Sequence, residues 1–122
     1  MSTRSTISIE KPNNEIHCIY CHYDGYPTGN GKILLDHYKD LKKIKKLINK
    51  GDLSSLASTL EETRSYNEWR GEDKNINIYN SREEMLSKKG QEYNYLWSEK
   101  DNFWWMNEEF EEHWIPLDQI IF

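Results

Sequence analysis

The sequence predicts an α+β domain, a mostly antiparallel sheet of two hairpins with one long helix, over about residues 31–49, and short helices packed on it. Three observations carry this. Period-two alternation occurs in two pairs of runs separated by turn residues, within 3–23 and 92–106. Leu34, Tyr38, Leu41, Ile44 and Ile48 recur at helical spacing. No Pro-rich or Gly/Ser-rich linker divides the 122 residues, so 1–122 reads as a single ligand-binding domain.

Taken in order, Thr3 to Glu10 places Ile7 and Ile9 on one side, and Pro12, Asn13 and Asn14 supply turn chemistry before the alternating run Glu15 to Tyr23. The long helix follows from Gly31, with Lys45, Lys46 and Lys50 suited to its negative end and Gly51 to its C′ position. A short second helix is expected over Leu53 to Glu62, and Thr63 to Asn75 reads as an ordered loop or ragged strand. Ile76 to Tyr79 reads as a strand. Ser81 with Glu84 makes a capping box for a helix ending near Gly90. Glu92 to Trp97 and Asn102 to Met106 flank a turn at Ser98 to Asp101, and Trp114 and Ile115 begin a last strand that Pro116 limits.

The net charge of −5, without a basic tail or an apolar run of transmembrane length, argues against bulk nucleic acid and against a membrane as partner. The opening MSTRSTISIE has no apolar stretch to direct secretion, so the expected compartment is the cytoplasm. Charge is uneven. Seven Lys face only Asp36 and Asp40 between Lys32 and Lys50, whereas seven acids face only Lys100 between Glu99 and Asp118. These read as two solvated faces, or as surfaces that meet between subunits of a homo-oligomer. Five Trp, eight Tyr and three Phe exceed what so polar a chain needs for its core, so some should line a pocket or interface.

Cys18, Cys21 and His22 match C-x-x-C-H, and His17 adds a fourth metal-ligand type. On a strand, however, Cys18 and His22 point to one face while His17 and Cys21 point to the other, so no metal site and no haem attachment are expected. A disulfide is equally unexpected in a reducing compartment.

The junction Tyr23 to Lys32 turns a strand into a helix through Asp24, Tyr26, Thr28 and Asn30, and helix starts attract anions. Gly25, Gly31 and Lys32 approximate a P-loop but have the wrong spacing, and Ile33 stands where a hydroxyl should hold Mg²⁺. The alternative for this stretch is an ordinary turn with Asn30 as N-cap. Arg4 and either Arg64 or Arg70 are the natural bidentate phosphate partners, with a solvated end or surface ion pair as the alternative for Arg70. A purine also needs a flat wall, for which Tyr23, Tyr26, Trp69, Trp97 and Trp104 are candidates, although most of the cluster of Trp97, Trp104 and Trp105 reads as core or cross-strand pairing on the second hairpin. Asn77 completes the candidate ligand-binding set. No catalytic constellation stands out. Asp24 near His22 is the one acid/base pair to weigh, and such an Asp more often caps a turn.

The segments MSTRSTISI, IYCHYDGYPTGNGKILLDHY and YNYLW…FWW…WIPL resemble small bacteriophage proteins, namely the first type of Thoeris anti-defence proteins, over nearly the whole chain. The resemblance implies a non-enzymatic sponge in the cytoplasm of the host bacterium that sequesters cyclic ADP-ribose isomers made by TIR-domain proteins. It needs no cofactor. It further implies homo-oligomers, either dimers or hexamers, and in some members a second site for cyclic oligonucleotides. Two other classes remain open from the residues: an inhibitor that covers a host protein with its acidic, Trp-rich part at Trp97 to Trp114, and an enzyme that cleaves a cyclic nucleotide.

Overall fold

The computed structural model describes residues 2–109, 111 and 113–120. Among these residues, eight strands form one mixed, mostly antiparallel sheet, accompanied by four α-helices. In chain order these are β1 (Ser5–Glu10), β2 (Ile16–Cys21), α1 (Lys32–His37), α2 (Leu41–Ile48), β3 (Leu53–Ser55), β4 (Arg64–Ser65), α3 (Tyr66–Arg70), β5 (Asn77–Tyr79), α4 (Arg82–Lys89), β6 (Tyr93–Ser98), β7 (Phe103–Glu108) and β8 (Ile115–Pro116).

The sheet order is β4-β3-β2-β1-β6-β7-β8, and β5 also pairs with β2. β1 and β2 run antiparallel from Ser5 opposite Cys21 to Glu10 opposite Ile16. The turn between them is set by Asn14 at φ 72°, a left-handed conformation that Asn tolerates. β6 and β7 are likewise antiparallel, and Asn102 at φ 59° makes their turn. β1 and β6 are joined side by side in parallel, with Ile7 opposite Tyr95 and Ile9 opposite Trp97. The sheet is thus larger than the expected pair of hairpins.

Strand alternation separates two cores. Ile7, Ile9, Ile19, Cys21, Tyr95, Trp97, Trp104 and Met106 face α1 and α2 and meet Leu34, Ile44, Leu47 and Ile48. The opposite face buries Ile16, Cys18 and Leu96 with Tyr79 and with Met85 of α4. Burying each such aliphatic side chain contributes roughly 1.5–3 kcal/mol, so a short helix like α2 is held chiefly by Ile44, Leu47 and Ile48.

Two expected helices change form. The long helix over 31–49 is two helices, because Tyr38 leaves helical geometry at φ −119° and ψ 70°. Its hydroxyl reaches Ala57 O at 2.8 Å and its carbonyl accepts the Trp104 indole N–H at 2.8 Å, so tertiary bonds replace helical ones. In place of a helix at Leu53 to Glu62, β3 runs parallel to β2, with Leu53 opposite Cys21, and a turn follows. Gly51 at φ 78° swings the chain from α2 into that strand.

Cys18 and Cys21 are free thiols, fully buried in different cores on the two faces of the sheet. Burial pushes the Cys18 thiol up to about 11 and the Cys21 thiol up to about 12. No helix among the described residues is long and apolar enough to cross a membrane.

Candidate functional site

The strand-to-helix junction is closed onto itself. Pro27–Gly31 forms a π-helical turn, in which the Gly29 N–H donates to Tyr26 O at 2.9 Å and the Asn30 N–H to Asp24 O at 2.8 Å. The Lys32 N–H is bonded to Gly29 O and Pro27 O. These amides, expected to be free for an anion, are therefore already satisfied, which corrects the reading of this turn as a ready phosphate cradle. Asn30 is not an N-cap facing solvent. It is fully buried, and its amide donates to Ser5 Oγ at 3.2 Å, Cys21 Sγ at 3.4 Å and Tyr23 O at 3.1 Å. Its role is to lock the loop on β1 and β2. Gly25 is needed there for close approach: a Cβ would lie 2.8 Å from Ser5 Cβ and 2.9 Å from the Arg4 carbonyl.

What the loop presents outward is Tyr23, Asp24, Tyr26 and Thr28, all exposed. The Tyr26 hydroxyl donates to Asp24 Oδ1 at 3.1 Å, and this bond raises the phenol's pKa. Asp24 itself sits at φ 59°. Lys32 pairs with Asp36 at 3.1 Å one helical turn on.

The segment 63–75, expected to be irregular, contains α3. Ser65 caps it by accepting the Glu68 N–H at 3.1 Å, and Gly71 at φ 69° ends it. Three groups of this helix and Arg64 of β4 come together. The rings of Tyr66 and Trp69 stack at 6.3 Å and 30°, and the Arg70 guanidinium lies 5.1 Å from the Tyr66 ring and 4.7 Å from the Trp69 ring. Arg64 approaches the same Trp69 ring at 5.4 Å. Trp69 nevertheless remains 51% exposed.

Backbone bonds fix α3 beside the end of β2. The Tyr66 N–H donates to Asp52 O at 3.1 Å, while Asp52 Oδ1 accepts the Tyr20 N–H at 2.9 Å and Oδ2 accepts the Asn75 amide at 2.7 Å. The Tyr23 N–H bonds Ser54 O at 3.1 Å in β3, which pairs with β4. The Tyr20 hydroxyl meets His22 Nδ1 at 2.7 Å, and the His22 ring packs edge-on against Tyr23 at 4.6 Å. Desolvation raises the Tyr20 pKa and the Arg4 guanidinium opposes this. Lys89 of α4 stands 5.9 Å from the Tyr20 ring.

Two aromatic and cationic groups result. One is Arg4, Tyr20, His22 and Tyr23 at the end of β1 and β2, with Lys89 near the Tyr20 ring, and the other is Tyr66, Trp69 and Arg70 on α3. Asp52 ties the two together through the Tyr20 and Tyr66 N–H groups. Sequence alone does not single out Tyr20, His22, Tyr66 or Lys89 for these groups. Strand period places Tyr20 and His22 on one face, and Ser65 three residues before Glu68 is a capping box. Both signals are present in the sequence. Arg64 and Trp69 together also line a cleft of about 480 Å³ with Glu61, Glu62 and Glu68, whose charge disfavours a diphosphate on that side.

Two candidates fall elsewhere. Trp97 is 6% exposed, in T-shaped contact with Trp104 at 5.7 Å on the α1/α2 face, so it is a core residue rather than a base-stacking wall. Asn77 pairs opposite Cys18 on β5, and its Oδ1 is buried without a partner among the described residues. No protein-family model, curated protein or solved structure matches the chain.

Proposed function

We propose that this chain is a phage anti-defence sponge, acting in the cytoplasm of the infected bacterium. It binds cyclic ADP-ribose-type signals made by host TIR-domain proteins and holds them without cleavage, which silences Thoeris immunity. The proposal rests on the resemblance of the sequence segments and on one structural observation that supports it: α3, carrying Tyr66, Trp69 and Arg70, is tied through Asp52 to Tyr20 of β2, whose strand end carries His22 and Tyr23. A cyclic ADP-ribose isomer combines an adenine with a diphosphate. The exposed rings suit the base, at about 1–3 kcal/mol per stacked base, and Arg4 and Arg70 suit the phosphate oxygens.

The surface is open on a single chain, and in this reading a second copy in a dimer or hexamer closes it over the ligand. The groups with acid/base chemistry nearest the surface are engaged with tyrosines, Asp24 with Tyr26 and His22 with Tyr20, which favours holding over hydrolysis. A second site for cyclic oligonucleotides is part of the same proposal through the resemblance alone.

The experiment is calorimetry with individual cyclic ADP-ribose isomers, followed by heat denaturation of the complex and mass spectrometry of what is released. The expected result is intact ligand, about one per chain. Release of a linear product would identify an enzyme, and absence of binding would turn attention to a host-protein target.

A further inference from the structure

Leu35 of α1 and Trp97, Phe103 and Trp104 of the β6–β7 hairpin line a pocket of about 240 Å³ at the margin of the main core. Opposite charges stand at its border: Lys39, in the link between α1 and α2, and Asp118, just beyond β8. Both are exposed, and neither pairs with the other or with another ion among the described residues. The walls also hold an unanswered donor. Trp97 is 6% exposed, and its indole N–H is buried with no acceptor among the described residues, whereas the Trp104 N–H is bonded to Tyr38 O at 2.8 Å. Buried donors are normally paired, so an oxygen is what this wall lacks.

The size restricts the occupant. Pockets for drug-sized ligands run to roughly 300–1,000 Å³, so about 240 Å³ admits one ring with a short polar end and is too small for an adenine, two riboses and a diphosphate together. The border charges restrict it further. An aryl acid would hold its carboxylate beside Asp118, and an aryl amine would hold its ammonium beside Lys39, whereas a zwitterion gives each side chain its opposite charge. We propose that this pocket binds a free aromatic amino acid, with the ring between the apolar walls, the carboxylate toward Lys39 and the Trp97 N–H, and the ammonium toward Asp118. The site shares no residue with the α3 surface and does not depend on the sponge reading.

The test is calorimetry of the full chain with L-phenylalanine, phenylacetate and phenethylamine, the last two lacking the ammonium and the carboxylate respectively. L-Phenylalanine should bind saturably at a single site per chain, and each analogue at least about tenfold more weakly, for the loss of one charge-assisted contact. Lys39→Gln should weaken L-phenylalanine about tenfold without weakening phenethylamine, and Asp118→Asn should do the same without weakening phenylacetate. Both side chains are exposed, and circular dichroism checks that the variants fold. In a ¹H–¹⁵N spectrum the Trp97 indole resonance, assigned through Trp97→Phe, should move on addition of L-phenylalanine. A cyclic ADP-ribose isomer should not compete. Absence of saturable L-phenylalanine binding, equal affinity for all three compounds, indifference to both substitutions, an unmoved Trp97 resonance, or displacement by a cyclic ADP-ribose isomer would each overturn the assignment.

Discussion

Arg82 donates two hydrogen bonds to Glu10, Nε to Oε2 and Nη2 to Oε1, both at 2.8 Å, and so ties α4 to the end of β1. The guanidinium also lies 5.5 Å from the Trp105 ring and 5.2 Å from the Trp114 ring. A bidentate ion pair between aromatic surfaces is largely desolvated, and removing one partner strands the other. Arg82→Ala should destabilise the fold by about 3 kcal/mol in urea denaturation. Arg82→Lys should recover only part of that, since an ammonium cannot make the two parallel bonds.

The buried thiols give the chain an alkaline limit. Both thiols have folded pKa values raised, Cys18 to about 11 and Cys21 to about 12, so their contribution is complete below the thiol's ordinary range. It is lost as pH rises through that range, because the unfolded chain ionises first. Unfolding free energy should therefore fall between pH 9 and 11 with a slope of up to about 1.4 kcal/mol per pH unit per thiol. Cys18→Ala should flatten this dependence, and Ellman's reagent at pH 8 should label neither thiol until denaturant is added.

Trp69 and Arg70 test the ligand surface without touching either core. Trp69→Ala should weaken binding of a cyclic ADP-ribose isomer by about 1–3 kcal/mol in calorimetry, with Trp69→Phe retaining most of the affinity. Arg70→Ala should produce a loss that shrinks at high salt. Trp97→Phe, altering a core ring, should change melting temperature more than affinity. The reverse pattern would move the site to the Trp97 side.

The Tyr38 hydroxyl makes one of the two tertiary bonds that hold the bend between α1 and α2. Tyr38→Phe removes the bond to Ala57 O at 2.8 Å and the contact with Thr63 Oγ1 at 3.2 Å. A loss of about 1 kcal/mol in unfolding free energy is expected, together with faster amide exchange over 57–63.

These same residues show why part of the architecture was legible and part was not. Alternation at Ile7, Ile9 and Ile19 and left-handed Asn residues at the turns are local signals, and they mark β1, β2, β6 and β7 directly. Ser81 with Glu84 likewise announces α4. By contrast, Leu34, Tyr38 and Leu41 keep helical spacing across the break at Tyr38, so periodicity cannot reveal a bend made by partners at Ala57 and Trp104. Leu53, Leu56 and Leu60 mimic a helix for a similar reason: all three pack on the main core, from a strand and a turn. At the candidate site, the residue types were readable while their geometry was not. Asn30 looks like a ligand-facing amide in the sequence, and only its three acceptors, from Ser5, Cys21 and Tyr23, show it to be a clamp.

The two pairings on the outer side of β2 give the molecule a division of labour. The chain leaves that strand through β3, passes through Arg64, Tyr66, Trp69 and Arg70, and returns to it through β5, while Asp52 holds Tyr20 and Asn75 together at the gap. The passage is a cassette with both ends anchored on one scaffold strand. Between Tyr66 and Asn75 its length and side chains can diverge while the sheet, the cores to which Leu56, Leu60 and Tyr79 belong, and the Arg4, Tyr20 and His22 wall stay as they are. Selectivity among related ligands can therefore evolve by exchanging the cassette, with little penalty to folding.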